Sequence, residues 1–197
     1  MPYKIVLLGD KGVGKSTLMY RITQDKFSPY KDPTIGVAFT SYNFLEQDGN
    51  ITLLHFWDTA GNERFNSFLP LYIKGAQMVL ICFSKDDVSH VSKHVNNVKM
   101  TQDDTCIILV ATKIDILTSS LWKDLKDVSD ERINEIFSDV QRYAKEENLP
   151  IFFTSSKTGQ NISKLLNYIV DIARDFKIPE NPTLNLKTET PQKMCCF

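Results

Sequence analysis

The sequence predicts an α/β fold, a mostly parallel six-stranded sheet with helices on both faces, and three observations carry that expectation. A glycine-rich loop, Gly9-Asp10-Lys11-Gly12-Val13-Gly14-Lys15-Ser16, stands between a strand-like run and a helical one. Two short runs, Met78 to Ser84 and Thr105 to Thr112, are nearly all apolar, as strands covered on both faces must be. Around them lie segments whose apolar residues recur at helical spacing, the alternation that builds a parallel sheet flanked by helices.

The elements follow in order. Tyr3 to Leu8 is apolar and reads as the first strand; Thr17 to Ile22 reads as the first helix. The loop between them fits the phosphate-binding pattern GxxxxGK[ST] in the strand–loop–helix setting that the pattern requires. Glycines at 9, 12 and 14 let the backbone curl so that N–H groups face one anion. A helix starting near Lys15 adds the positive end of its dipole. Lys15 then reaches the β- and γ-phosphates, and the Ser16 hydroxyl holds a magnesium ion. A bare glycine turn with a solvated lysine is the alternative, and the flanking strand and helix disfavour it. The loop marks a nucleotide site.

Asp25 to Lys31 is polar, contains Pro29 and reads as loop. Val37 to Glu46 and Ile51 to Trp57 are strand-like and joined by Gln47-Asp48-Gly49-Asn50, whose Asp-Gly marks a hairpin. Val88 to Met100 supplies a helix between the two apolar strands. Ser129 to Asn148 places Ile133, Ile136, Phe137 and Val140 at helical spacing behind Ser129 as a cap. Ile151 to Thr154 is a short strand, and Asn161 to Phe176 a final helix with Ile162, Leu165, Ile169 and Val170 on its apolar side. No internal repeat is present.

Composition narrows the function. The 197 residues suit one domain plus a tail, and 42% hydrophobic with 24% charged residues is ordinary for a globular protein. A net charge of −1 argues against a nucleic-acid partner. No basic segment followed by an apolar stretch opens the chain, and no window approaches about 20 apolar residues, so the expected place is the cytosol. Cys82 and Cys106 sit in apolar runs and read as buried thiols of a reducing compartment.

Three further stretches fall at strand ends: Pro33-Thr34-Ile35-Gly36-Val37-Ala38-Phe39, Trp57-Asp58-Thr59-Ala60-Gly61-Asn62-Glu63-Arg64-Phe65, and Thr112-Lys113-Ile114-Asp115 with the later Thr154-Ser155-Ser156-Lys157. In this order, with the phosphate loop, they resemble the Ras superfamily of small GTPases. The resemblance is strongest to Rab proteins, through PTIGVxF, WDTAGxERF and Tyr72-Ile73-Lys74-Gly75-Ala76 in place of the usual YYRGA. It covers roughly residues 3–176 and the terminal cysteines. It implies a single P-loop GTPase domain over residues 1–176 and GTP/GDP with Mg2+ as ligands.

The same resemblance implies roles for residues. Asp115 accepts the ring N–H and exocyclic amine of guanine, a pair that adenine lacks. Lys113 lies over the base, Phe27 stacks on its edge, and Thr112, Ser155, Ser156 and Lys157 complete that end. Asp10, Lys11, Gly12, Val13, Gly14, Lys15, Ser16 and Thr17 form the phosphate end. Ser16, Thr34 and Asp58 hold the metal, Asp58 through water. Thr34 and the Gly61 N–H touch the γ-phosphate side, so two loops are ordered by contacts that hydrolysis removes. Lys15, Thr34, Gly61 and Asn62 are the catalytic set. Phe39, Trp57 and Tyr72 match the aromatic trio that Rab proteins present to partners, with plain core packing the rival for the two on strands.

Several positions depart from the pattern. Asn62 stands where a glutamine orients the attacking water; its side chain is shorter by about 1.3–1.5 Å, so slow hydrolysis is expected. Lys11 replaces a small residue and either places its charge near the γ-phosphate, blocks an arginine there, or snorkels to water. Thr112 replaces an asparagine and is expected to lose a bridge to the phosphate loop. The connection from Ile116 to Asp130 is long, as in Rho proteins, and its Leu121, Trp122 and Leu125 either pack on the domain or form a docking patch. His90 and His94 are four apart on a helix with no third ligand evident, so zinc is not expected.

From Lys177 to Phe197 periodicity stops, with prolines at 179, 182 and 191, and the segment reads as a flexible tail. It ends Met194-Cys195-Cys196-Phe197. Methionine at the fourth place from the end excludes a CaaX box, and the paired cysteines look like a double geranylgeranylation signal. With Lys177, Lys187 and Lys193 offset by Glu180 and Glu189 there is no basic patch, and a single lipid binds only marginally. The expected protein is a monomeric, Rab-like GTP-hydrolysing switch of vesicle traffic. Its implied partners are effectors, an exchange factor, a GTPase-activating protein, a GDP-dissociation inhibitor and a prenylation escort protein. It would divide between the cytosol and the cytoplasmic face of intracellular membranes. A Rho-like cytoskeletal regulator and a non-hydrolysing GTP-binding scaffold are the rivals.

Overall fold

A computed structural model describes residues 2–30, 32–46, 48–61, 67–117 and 130–175. The strands are β1 (Tyr3–Leu8), β2 (Val37–Leu45), β3 (Ile51–Thr59), β4 (Met78–Phe83), β5 (Cys106–Ala111) and β6 (Ile151–Phe153). The helices are α1 (Lys15–Gln24), α2 (Leu69–Ile73), α3 (Val91–Thr101), α4 (Asp130–Glu146) and α5 (Ile162–Asp175). One six-stranded sheet runs in the order β2-β3-β1-β4-β5-β6. Only the β2–β3 hairpin is antiparallel; the other neighbours pair parallel.

Alternation along the strands explains why both faces are covered. Successive side chains point to opposite sides, so an apolar run feeds two cores at once. Met78, Leu80 and Cys82 of β4 join the cluster under α1 and α5, whereas Val79, Ile81 and Phe83 join the cluster under α2, α3 and α4. Each such side chain, buried outright, contributes about 1.5–3 kcal/mol. Phe137, where the torsions of α4 leave the helical region (φ −110°, ψ 17°), sets its ring against Phe83 and Phe153 at centroid distances of 6.0 and 5.3 Å.

The expected elements are found with small shifts of their ends. β3 runs on to Thr59 and so carries Asp58 inside the strand. α2 was not expected: five residues with Pro70 in the first turn are too few to show a period. Cys82 is fully buried, with its thiol pushed up to about 12 by desolvation, but Cys106, the first residue of β5, is only half-buried. Ser129, the expected cap of α4, lies outside the described residues, as do Leu121, Trp122 and Leu125.

The hairpin is fastened to the last helix. Arg174 in α5 donates from Nε to Glu46 Oε2 at 2.5 Å, and Thr52 on β3 donates its hydroxyl to Glu46 Oε1. Glu46 is buried at this point although it sits at a strand end. Among the described residues no helix is long and apolar enough to cross a membrane.

Candidate nucleotide site

The loops that follow β1, β3, β5 and β6 meet at the carboxyl edge of the sheet, where open α/β folds place ligands. They enclose a cavity of about 630 Å³ together with the segment after α1. Lys11, Gly12, Gly14, Lys15, Ser16 and Thr17 line its phosphate end. Thr112, Lys113, Asp115, Ser156 and Lys157 line the other end, with Phe27, Thr34 and Gly61 on the outer wall.

The phosphate loop owes its shape to backbone that only glycine tolerates. Gly9 has φ 137°, and a Cβ there would lie 2.0 Å from the Cys82 carbonyl oxygen of β4. The loop therefore presses flat on the neighbouring strand. Lys15 is 5% exposed and donates from Nζ to the carbonyls of Gly9 at 2.8 Å and Asp10 at 2.9 Å. Burial lowers its pKa from the ordinary lysine range, with nearby carboxylates opposing the shift. An ammonium desolvated in this way gains most from an arriving phosphate.

At the far end Ser155 is buried and donates its hydroxyl to Asp115 Oδ1 at 2.6 Å, while the Thr158 N–H donates to Ser155 Oγ at 3.1 Å. The Asp115 carboxylate is thus oriented before any base arrives. Lys157 Nζ is 4.0 Å from Asp115 Oδ2. Lys113 adopts φ 57° and stretches its stem along the cavity floor, its Nζ donating to the Gly12 carbonyl at 2.6 Å.

Thr112 corrects an expectation. Its hydroxyl, buried, shares one proton between the Val13 carbonyl of the phosphate loop and the Phe83 carbonyl of β4, the latter at 3.1 Å. The bridge to the loop that an asparagine would supply is present by another route. Val13 itself is a core residue, 1% exposed, that pins the loop from below.

Three oxygen-bearing side chains converge beside Lys15. Ser16 Oγ lies 2.8 Å from Thr34 Oγ1 and donates to Asp58 Oδ2 at 2.5 Å; Thr34 Oγ1 is 3.3 Å from the same carboxylate oxygen. Two hydroxyls and a carboxylate are a hard-oxygen set of the kind that suits magnesium. Asp58 is 1% exposed and does not line the cavity, consistent with a carboxylate one layer behind the Ser16 hydroxyl. Asn62, assigned to water orientation from the sequence, lies outside the described residues.

Gly61 packs directly on the phosphate loop. A Cβ at this position would fall 2.4 Å from the Asp10 carbonyl carbon and oxygen and 2.5 Å from the Lys11 nitrogen. Only glycine lets the segment after β3 come this close.

Asp10 was expected among the nucleotide contacts, but the structure turns its carboxylate away from the cavity. Oδ2 lies 2.8 Å from His90 Nδ1, and Oδ1 lies 3.4 Å from His94 Nε2. Burial alone would raise the Asp10 pKa; the His90 hydrogen bond and the charge of the two histidines outweigh it and leave the net shift downward. His90 and His94 thus have a neighbour of ligand type in Asp10, which their spacing in the sequence did not show. Chain separation hid the contact: Asp10 and His90 are 80 residues apart.

Phe39 and Trp57 are cross-strand partners on β2 and β3, with ring centroids 5.4 Å apart in an edge arrangement. Phe39 is 51% exposed, whereas Trp57 and Tyr72 are half-buried against the core under α2 and α3. Neither reading of the trio covers all three. Ile35 and Ile116 also line the cavity and were not singled out. Each is the immediate neighbour of a chosen residue, and that adjacency was the available signal.

Comparison with known proteins agrees with this geometry. The Ras family model matches residues 4–175. The chain is 32% identical over 186 residues to the GTP-binding protein ypt5 of Schizosaccharomyces pombe, covering 92% of this chain and 80% of that protein. It is 36% identical over 166 residues to the GTP-binding protein YPT53 of Saccharomyces cerevisiae, covering 82% and 72%. To the Ras-related protein Rab-5A of Dictyostelium discoideum it is 31% identical over 185 residues, covering 92% and 83%. These relatives do not favour the Rho-like reading. A buried lysine in a phosphate loop, a pre-oriented carboxylate at the base end and a match across nearly all described elements lead to one assignment: the chain belongs to the Ras family of small GTPases, on its Rab side, and is a GTP-binding hydrolase.

Proposed function

We propose that this GTPase is a switch of vesicle traffic on intracellular membranes, built from a GTPase domain over residues 1–176 and a tail over 177–197. Asp115, held by the Ser155 hydroxyl and lining the same cavity as Lys15 and Ser16, is the observation that carries the nucleotide part. Asp115 accepts two hydrogen bonds from guanine, and Lys15 exchanges its loop carbonyls for the β- and γ-phosphates. Ser16, Thr34 and Asp58 hold Mg2+, which neutralises charge on the phosphate oxygens when bound. Thr34 and the Gly61 N–H sense the outermost phosphate, and their loops relax once it leaves. In hydrolysis a water attacks the γ-phosphorus, the bond to the β-phosphate oxygen breaks, and GDP and phosphate part. Asn62 orients that water from a side chain shorter than glutamine's, so the intrinsic rate is low.

Phe39, Trp57 and Tyr72 present the switch state to effectors. An exchange factor, a GTPase-activating protein, a GDP-dissociation inhibitor and a prenylation escort protein complete the cycle of a monomer that needs no nucleic acid. Cys195 and Cys196, outside the described residues, carry two prenyl groups that hold it at the cytoplasmic face of a membrane, with the remainder cytosolic. Calorimetry with magnesium tests the nucleotide reading: GTP and GDP bind and ATP binds about a hundredfold more weakly or less. ATP held as tightly as GTP overturns it. Mass spectrometry of cell-derived protein tests the tail; unmodified cysteines overturn the anchor.

A further inference from the structure

Building on the phosphate-loop reading given above, we infer that His90, backed by His94, is a positioning residue for nucleotide retention: it clamps the Asp10 carboxylate and so holds the phosphate loop to α3, more firmly as the pH falls. Both carboxylate oxygens are engaged. His90 Nδ1 donates to Oδ2 at 2.8 Å, and His94 Nε2 stands 3.4 Å from Oδ1. Asp10 meets the site through its main chain. Its carbonyl accepts the Lys15 ammonium at 2.9 Å, and the peptide it shares with Lys11 is the one against which Gly61 packs. A shift of the Asp10 side chain therefore moves the peptide that both Lys15 and Gly61 touch.

The pairing responds to protons because an imidazolium holds a carboxylate more firmly than a neutral ring does. Burial pushes the Asp10 pKa up, but the His90 hydrogen bond and the charges of both histidines pull it down further, so this carboxylate only accepts. The two rings differ. Desolvation holds the His94 pKa below the ordinary histidine range, against the pull of Asp10. His94 thus serves as a neutral wall, and His90, with 57% of its side chain exposed, is the ring that solvent protons reach. Asp87, ahead of α3 and held by the Ser84 hydroxyl, has a carboxylate oxygen within 4.8 Å of ligand atoms of His90 and Asp10. Its negative charge adds to that of Asp10 beside His90, whereas Lys93 of α3 and Lys15 of α1 repel a proton from His94. Among the described residues lining the adjoining cavity, Thr59, Ala60, Gly61 and Leu69 bring no charge.

The test loads the full chain with fluorescently labelled GDP and magnesium and follows release into excess unlabelled GDP from about pH 8 to about pH 6. Comparing each variant with the unaltered chain at the same pH cancels the titration of the nucleotide itself. His90→Ala, on an exposed ring, should speed release about tenfold at the acid end and about threefold at the alkaline end. His90→Asn, whose amide N–H stands near the place of Nδ1, should restore slow release at the alkaline end but not the gain on acidification. Asp10→Asn should flatten the same pH profile, and adding His90→Ala to it should bring no further acceleration. Release that neither single substitution changes overturns the clamp. So does an acceleration by His90→Ala that is equal at every pH and that His90→Asn does not relieve. A chain that takes up no GDP overturns the phosphate-loop reading itself, and the clamp with it.

Discussion

The two walls of the nucleotide cavity are built on opposite plans. The wall after β1, β5 and β6 is a lattice of buried polar contacts: Lys15 on two carbonyls, Thr112 on Val13 and Phe83, Ser155 on Asp115. The wall after α1 and β3 is open, with Tyr30 90% and Ile35 88% exposed, and reaches the first wall through the Thr34 hydroxyl and the bare backbone of Gly61. The difference teaches where the two properties of a switch reside. In the function proposed above, holding a nucleotide of either kind belongs to the buried wall, and telling GTP from GDP belongs to the open one. Buried networks keep one geometry, whereas exposed loops change theirs at little cost.

Substitutions can break this division or sharpen it. The largest effect is expected from Lys15→Ala, which removes a desolvated ammonium from the holding wall. Affinity for GTP and GDP should fall together by about a hundred- to a thousandfold, read by calorimetry; a loss confined to GTP would erase the distinction. Next is Asn62→Gln, on the sensing side. Restoring about 1.3–1.5 Å of reach should speed single-turnover hydrolysis about ten- to a hundredfold with GDP affinity unchanged. No acceleration would remove Asn62 from the reaction. Gly61→Ala should follow, because its Cβ cannot coexist with the Asp10–Lys11 peptide at 2.4–2.5 Å. Overpacking of this kind costs about 1–3 kcal/mol, so the ratio of GTP to GDP affinity should drop about tenfold. An equal loss for both nucleotides would place Gly61 in the holding wall. Thr112→Val should do least: it keeps the shape and deletes one shared proton. A loss of about 1–2 kcal/mol in stability would lower the melting temperature by about 2–8 °C, with GDP release only a few-fold faster.

How much of this was readable beforehand depends on the range of each interaction. The phosphate loop was legible because its chemistry is packed into eight consecutive residues with fixed glycine spacing. β4 and β5 were legible because strands covered on both faces leave no polar alternation. The contacts that set the site were not. Thr112 finds Val13 across 99 residues, and Asp115 finds its orienting hydroxyl across 40. Periodicity has no memory over such distances, so an exchange of asparagine for threonine looked like a loss. Likewise Asp10 read as one more loop residue, because the helix that brings its histidines is remote in the chain.

One contact away from the cavity changes how the domain responds to force. Arg174 stands at the end of α5, and through Glu46 it grips the turn end of the very strands that display Phe39 and Trp57. The end of α5 is therefore joined to that strand pair by this ion pair, while the apolar side of the same helix is held in the core. A tether pulling at the carboxyl terminus and a protein seated on the aromatic face would load the same lever from its two ends.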